Sequence, residues 1–201
     1  MAWHGVEPTI SSDLSAQSVA KYFLEVDAGR TDPDITQMKL HKLLYFAQAN
    51  YLASTGKRLF DSNMEAFEHG PVISDIRLEY QKFGQQTIVV EDPHVASQDS
   101  NNPIPEDVKQ FLERIWDRFG DLSASKLRRM SHEDAPWKTS YKPTGYRCPL
   151  TDESVEKWYR TGVQESRRVY HPNLIVIEED LWNSLELEDD DEFAKRWASQ
   201  L

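Results

Sequence analysis

Two short stretches gather side chains able to do acid–base or metal chemistry. Glu65, Glu68 and His69 precede Gly70-Pro71, and His132, Glu133 and Asp134 precede Pro136. Carboxylates beside imidazoles can pass protons near neutral pH, and a cluster of them folded together could hold a divalent metal. Their spacing matches no established device for either task. The chain contains no His-Glu-x-x-His run, no phosphate-cradling glycine-rich loop and no Gly-x-Ser-x-Gly elbow. Its single cysteine, Cys148, has no thiol-protease pattern around it, cannot form an intramolecular disulfide and cannot alone build a thiolate metal site. Cys148 is expected to serve as a small buried or half-buried apolar residue. The histidines also have plainer roles: His69 as a turn residue bonded to backbone, and His132 at a helix end near the terminal carbonyls. The expectation is therefore no catalysis, no metal and no cofactor, with a small hydrolase-like use of Glu65, His69 and His132 as the lesser alternative.

The elements that must position these residues are mostly helices. Val19, Tyr22, Phe23 and Val26 recur at i, i+3, i+4 and i+7, which predicts an amphipathic helix from about Leu14 to Ala28, ended at Gly29. Thr36 can cap a second helix and Gly56 can end it in the left-handed conformation. On a helical projection Leu40, Leu43, Leu44, Ala47 and Tyr51 form one apolar stripe, and Met38, Tyr45, Ala49 and Leu52 a second nearly opposite. Such a helix needs cover on two sides. Either two layers of one domain enclose it or one side is kept for a partner, and intramolecular cover is the reading adopted.

A short edge strand is expected at Met64–Phe67, with a turn at His69-Gly70-Pro71 and a third helix from about Val72 to Phe83. The β-branched run Thr87–Val90 reads as a second short strand, and residues 91–105 as loop. Val108, Phe111, Leu112, Ile115, Trp116 and Phe119 then predict a fourth helix stopped at Gly120. A further helix from Asp121 or Ser123 runs towards Pro136-Trp137. Beyond it, residues 154–159 suggest a helix, 174–177 a strand and 193–198 a closing amphipathic turn. The predicted class is mainly α with a small β component (α+β): a compact bundle of about five to seven helices around a central helix at about 37–54, with a two- to three-stranded β element.

Composition sets outer limits. At 201 residues and 39% hydrophobic content, the chain can bury one substantial core. No apolar run approaches the roughly 18 to 20 residues needed to cross a bilayer, and no secretory pattern opens the chain, so a cytoplasmic protein with no membrane partner is expected. The net charge of −11 is uneven: residues 151–201 hold 13 acidic against 6 basic residues, net −7. Within them, residues 178–192 carry nine acidic residues and no Lys or Arg. Nucleic-acid affinity comes mainly from Lys and Arg neutralising phosphates, so direct binding to DNA or RNA is not expected. A DNA-binding repressor would also need a basic helix-turn-helix, which is absent.

Four blocks occur in order: Lys42-Leu43-Leu44-Tyr45, Gly70-Pro71-Val72, Ser131-His132 and Pro136-Trp137. Together they resemble the Panacea domain, also called the SocA-like or DUF4065 domain, over roughly residues 15–141. The domain is expected at residues 1–145, with an acidic C-terminal extension at 146–201, outside the resemblance, packed on the same domain. The resemblance implies an antitoxin from a bacterium or phage that neutralises a cognate protein toxin, encoded by a neighbouring gene, through direct binding. The alternative the resemblance carries is an adaptor delivering the toxin to an ATP-dependent, Clp-type protease. Protein neutralisation needs a surface with a few strong anchors rather than chemistry. The residues costly to expose yet outside the clear core stripes are Tyr45, Phe60, Phe67 and Trp137, and with Glu65 and His69 they form the expected partner-binding set. Each aromatic also has a core reading.

Overall fold

The second helix is the axis on which the rest is hung. In the computed structural model, which describes residues 14–90, 103–144 and 148–173, α1 spans Ala16–Ala28 and α2 spans Gln37–Thr55. The Thr36 hydroxyl accepts from the Lys39 amide, and Gly56 at φ 69° ends α2 in the left-handed conformation. Every α2 residue from Lys39 to Ser54 is buried. Both apolar stripes are therefore covered from within the chain.

A hairpin follows. Strand β1 (Met64–Phe67) pairs antiparallel with β2 (Gly70–Ile73), Met64 opposite Ile73 and Phe67 opposite Gly70. Helix α3 (Ser74–Glu79) leaves the hairpin and tightens into a 3-10 turn at Gln81–Phe83. The chain then forms α4 (Glu106–Phe119), α5 (Ala124–Glu133) and α6 (Ala135–Ser140). A two-residue strand β3 (Cys148–Pro149) completes a sheet of order β2-β1-β3. Helix α7 (Asp152–Lys157) continues through a π turn at Trp158–Gly162, and a 3-10 turn occupies Glu165–Arg167. The mainly helical α+β class with a small sheet is as predicted.

Helices α1, α4, α5 and α7 and strand β2 all pack on α2. Phe46 stacks on Phe119 with centroids 4.6 Å apart, Tyr51 meets Phe111 edge-on at 5.3 Å, and Tyr45 meets Tyr159 edge-on at 6.1 Å. The polar residues of α2 are buried too, and each holds a neighbouring segment. Gln48 accepts from the Leu59 and Phe60 amides and donates to the Phe60 carbonyl. Asn50 accepts from the Val169 amide, and Ser54 donates to the Val169 carbonyl. Residues 59–60 and 169–171 are thus stitched to the central helix by side chains that would otherwise be costly to bury.

Three sequence expectations change. Val72 is strand, not helix, because Pro71, Val72 and Ile73 pair with β1 before the chain can coil. Residues 87–90 form no strand; Thr87 makes an isolated bridge to Thr36, and the Ile88 amide donates to the Ile35 carbonyl. Trp137, which in sequence follows Pro136 outside any clear helical pattern, lies inside α6. Residues 10–172 make one compact unit, so the segment 148–172 is joined to the residues before it through β3 and α7. A second unit, residues 1–9 with 173–201, lies outside the described residues apart from Asn173. The expected strand at 174–177, the acidic run and the closing turn fall there, and most of the 91–105 loop is likewise outside. No helix among the described residues is long and apolar enough to cross a membrane.

Candidate functional site

The turn between β1 and β2 is two residues, Glu68 and His69, and both are exposed. Gly70 closes it at φ 96°, where L side chains rarely sit. A Cβ there would also lie 2.7 Å from Ser131 Oγ and 2.9 Å from Lys42 Nζ, so both side chains would have to shift. The hairpin end is therefore pressed between α2 and α5. From α2, Lys42 Nζ donates to the Pro71 carbonyl at 2.7 Å, and His41 Nδ1 accepts the Ile73 amide at 3.2 Å. Both bases are buried, and desolvation lowers their pKa values, that of Lys42 to about 7 with help from Arg128, and that of His41 to about 3.

From the other side comes the corner between α5 and α6. Ser123 caps α5, and Pro136, whose missing N–H suits a first helical turn, starts α6. The corner residue between them, Asp134, stands at the cap position of α6 yet makes no side-chain cap bond. Its carboxylate is turned inward and wholly buried. Oδ2 accepts from the hydroxyls of Tyr45 at 2.9 Å and Tyr159 at 3.0 Å, and Oδ1 from the Trp158 indole at 3.1 Å and Arg167 Nη2 at 2.6 Å. Burial holds the Asp134 carboxyl above its ordinary pKa, and Arg167 with the neutral donors offsets only part of that rise. With four donors on two oxygens, Asp134 is a tether joining α2, the α5–α6 corner and the segment after α7.

Outward from that tether the corner carries a stack of rings. His132 lies parallel to Trp137 at 4.0 Å, Trp137 lies parallel to Tyr141 at 4.9 Å, and all three are half-buried. The Trp137 indole N–H donates to the Phe67 carbonyl at 2.9 Å, which ties the stack to β1. Arg77 of α3 sits 5.7 Å above the half-buried Phe67 ring. All four sequence blocks thus meet in one place. Lys42 touches Pro71, Gly70 touches Ser131, His132 stacks on Trp137, and Tyr45 bonds Asp134.

The expected site residues divide accordingly. Glu65 and Phe67 are half-buried on the same outward side of β1, His69 is exposed at the turn, and Trp137 is half-buried beside Phe67. Tyr45 and Phe60 are fully enclosed, Tyr45 by the Asp134 tether and Phe60 in the core. Sequence reasoning missed Arg77, Arg128 and Tyr141; their only signal is the i, i+4 spacing of Arg128 with His132 and of Trp137 with Tyr141. Of the acid–base candidates, Asp134 is committed to the tether and the His132 ring to the stack. No group of three or more His, Cys, Asp or Glu that could hold a metal occurs among the described residues. A cleft of about 450 Å³ elsewhere is lined by Arg114, Asp117, Arg118, Arg168, Val169 and Tyr170. Arg114 and Arg118 donate to the backbone carbonyls of Tyr170 and Ser166, clamping that segment to α4, and Arg168 donates to the Val163 carbonyl within the segment.

Residues 40–138 match the model of a family described as antitoxin SocA-like, Panacea domain. Antitoxin SocA of Caulobacter vibrioides (strain NA1000 / CB15N) is 28% identical to the chain over 142 residues, 65% of this chain and 73% of that protein. No solved structure matches.

Proposed function

The chain belongs to the SocA-like Panacea family of antitoxins, and on that premise we propose that it neutralises a cognate protein toxin by binding it directly through the hairpin corner. The observation that carries the choice of surface is the meeting of the four blocks there. A corner braced by the buried Lys42, Ser131 and Asp134 presents Phe67, His69, His132 and Trp137 at its surface. Rigid, half-buried aromatic rings beside exposed polar groups are the usual anchors of a protein interface, because their burial costs little entropy. Glu65 belongs to the same surface. Tyr45 and Phe60 do not, since neither is accessible.

The reading is non-enzymatic, with the antitoxin acting by covering its target. An interface of about 1,600 Å² in total would reach well beyond the hairpin. The test is co-expression with the product of the neighbouring gene, scoring growth and then co-purification. His69→Glu should lose both rescue and complex while circular dichroism and melting stay close to wild type, and Trp137→Ala should lose both while staying folded by circular dichroism at a lowered melting temperature. If both variants still rescue and co-purify, the contact surface lies elsewhere. Rescue by the wild type with no recoverable complex would favour delivery to a protease over direct neutralisation.

A further inference from the structure

The cleft between α4 and the segment after α7 brings Arg114, Arg118 and Arg168 together in a chain whose net charge is −11. Arg114 and Arg118 stand one turn apart on α4, and both are exposed. Each gives part of its guanidinium to a neutral backbone carbonyl, Arg114 to Tyr170 at 3.3 Å and Arg118 to Ser166. Neither makes an ion pair among the described residues, although Asp117 lines the same cleft. Arg168 differs: it pairs at 3.0 Å with Glu165, which also accepts from the Tyr170 hydroxyl at 3.0 Å. Two accessible guanidinium groups thus stand unpaired in the cleft against one carboxylate. Their bonds to the backbone already hold the side chains, so pairing with them costs less ordering entropy than it would for loose surface arginines.

Resting on the reading of this chain as a binder of a protein toxin, but not on the hairpin corner as the contact surface, we propose that the cleft docks an acidic segment of that toxin, one carboxylate on Arg114 and a second on Arg118. A guanidinium has five N–H donors, so one bond to a carbonyl leaves donors for a carboxylate, and such charge-assisted bonds are about twice as strong as neutral ones. Residues one turn apart on a helix lie about 6 Å from each other, which suits carboxylates at the same spacing on the partner. At about 450 Å³ the cleft admits a chain segment rather than a lone carboxylate, with the half-buried Tyr170 ring as an apolar wall. The acidity of the chain as a whole sharpens the choice. An acidic segment is repelled by the chain's overall negative charge and accepted where arginine charge is unmatched, so the cleft fixes the register of the complex.

The experiment uses the full chain and the purified product of the neighbouring gene, with dissociation constants measured by calorimetry at two salt concentrations. Arg114→Gln and Arg118→Gln should each weaken binding about three- to tenfold and flatten its salt dependence. Arg118→Glu should weaken it further, and one Asp→Lys or Glu→Lys change on the toxin should restore it. Arg118→Lys keeps the charge and a donor for the Ser166 carbonyl, so it should bind more tightly than Arg118→Gln; equal losses in the two would assign Arg118 to the clamp alone and overturn the proposal. If the arginine variants, folded by circular dichroism, bind like wild type while His69→Glu and Trp137→Ala lose the complex, the cleft assignment is wrong and the corner stands. If the arginine variants lose the complex while His69→Glu and Trp137→Ala keep it, the cleft is the docking surface and the corner is not. Binding of inorganic phosphate that Arg118→Gln abolishes, with toxin affinity unchanged in that variant, would make the cleft a small-anion site and overturn the docking of an acidic segment.

Discussion

Gly70 and His41 show how single residues are held to their identities by neighbours far along the chain. Gly70→Ala would force a Cβ into a left-handed backbone and against Ser131 and Lys42. We expect a loss of about 1–3 kcal/mol in chemical denaturation, the scale of a strained backbone position. His41 makes its contribution through pH. Its folded pKa of about 3 lies below its ordinary 6.5 because burial disfavours the imidazolium. As pH falls below 6.5 the unfolded chain takes up a proton that the folded chain refuses, so stability present above pH 6.5 is lost towards pH 3. The melting temperature should fall through that window, and His41→Gln should flatten the decline. Lys42 follows the same sign at higher pH: with a folded pKa of about 7 against 10.5, it makes stability rise between those values. Lys42→Met should remove that rise. The types Gly70, His41 and Lys42 are visible in the sequence, but their pressures are not, since each arises from contacts made across elements.

At the scale of elements, α2 and the α5–α6 corner carry most of the architecture. Leu43 and Leu44 are fully buried on α2, and changing either to Ala should cost about 2–5 kcal/mol by leaving a cavity. An unchanged melting temperature would overturn their place in the core. Asp134→Ala should cost about 3–5 kcal/mol, because it strands the Arg167 guanidinium in a buried setting, and pairing it with Arg167→Met should recover part of that loss. Denaturation of the two single variants and the double would give the coupling directly. The helices were legible because apolar residues recur every three or four positions along one face and capping groups stand at the ends. The hairpin was only half legible. The Met64–Phe67 strand can be read in the sequence, but its partner reads as the start of a helix, since a four-residue strand beginning Gly-Pro has no alternation to display. Strand β3, at two residues, exists only through its pairing with β1.

For the molecule as a whole, residues 148–172 belong to the same compact unit as the described residues before them. Removing residues 148–201 would take away β3, α7, Arg167 and the segment 169–171 bonded to Asn50 and Ser54, exposing one side of α2. A chain stopped at residue 145 should fail to give a cooperative melt by circular dichroism. Sequence alone suffices for the central helix, its capping at Thr36 and Gly56, the turn at Gly70 and the four ordered blocks that resemble the Panacea domain. These follow from local rules, periodicity, backbone freedom and capping, which act between residues a few positions apart. It is the packing of elements that encloses Tyr45 and Phe60 and leaves Phe67, His69 and Trp137 at the surface. Packing alone makes Asp134 a tether among Tyr45, Tyr159, Trp158 and Arg167, and makes Lys42, Arg128 and His132 converge. Burial and charge at a side chain are set by what other elements bring to it, and residues 42, 70, 134 and 167 meet only after the chain has closed.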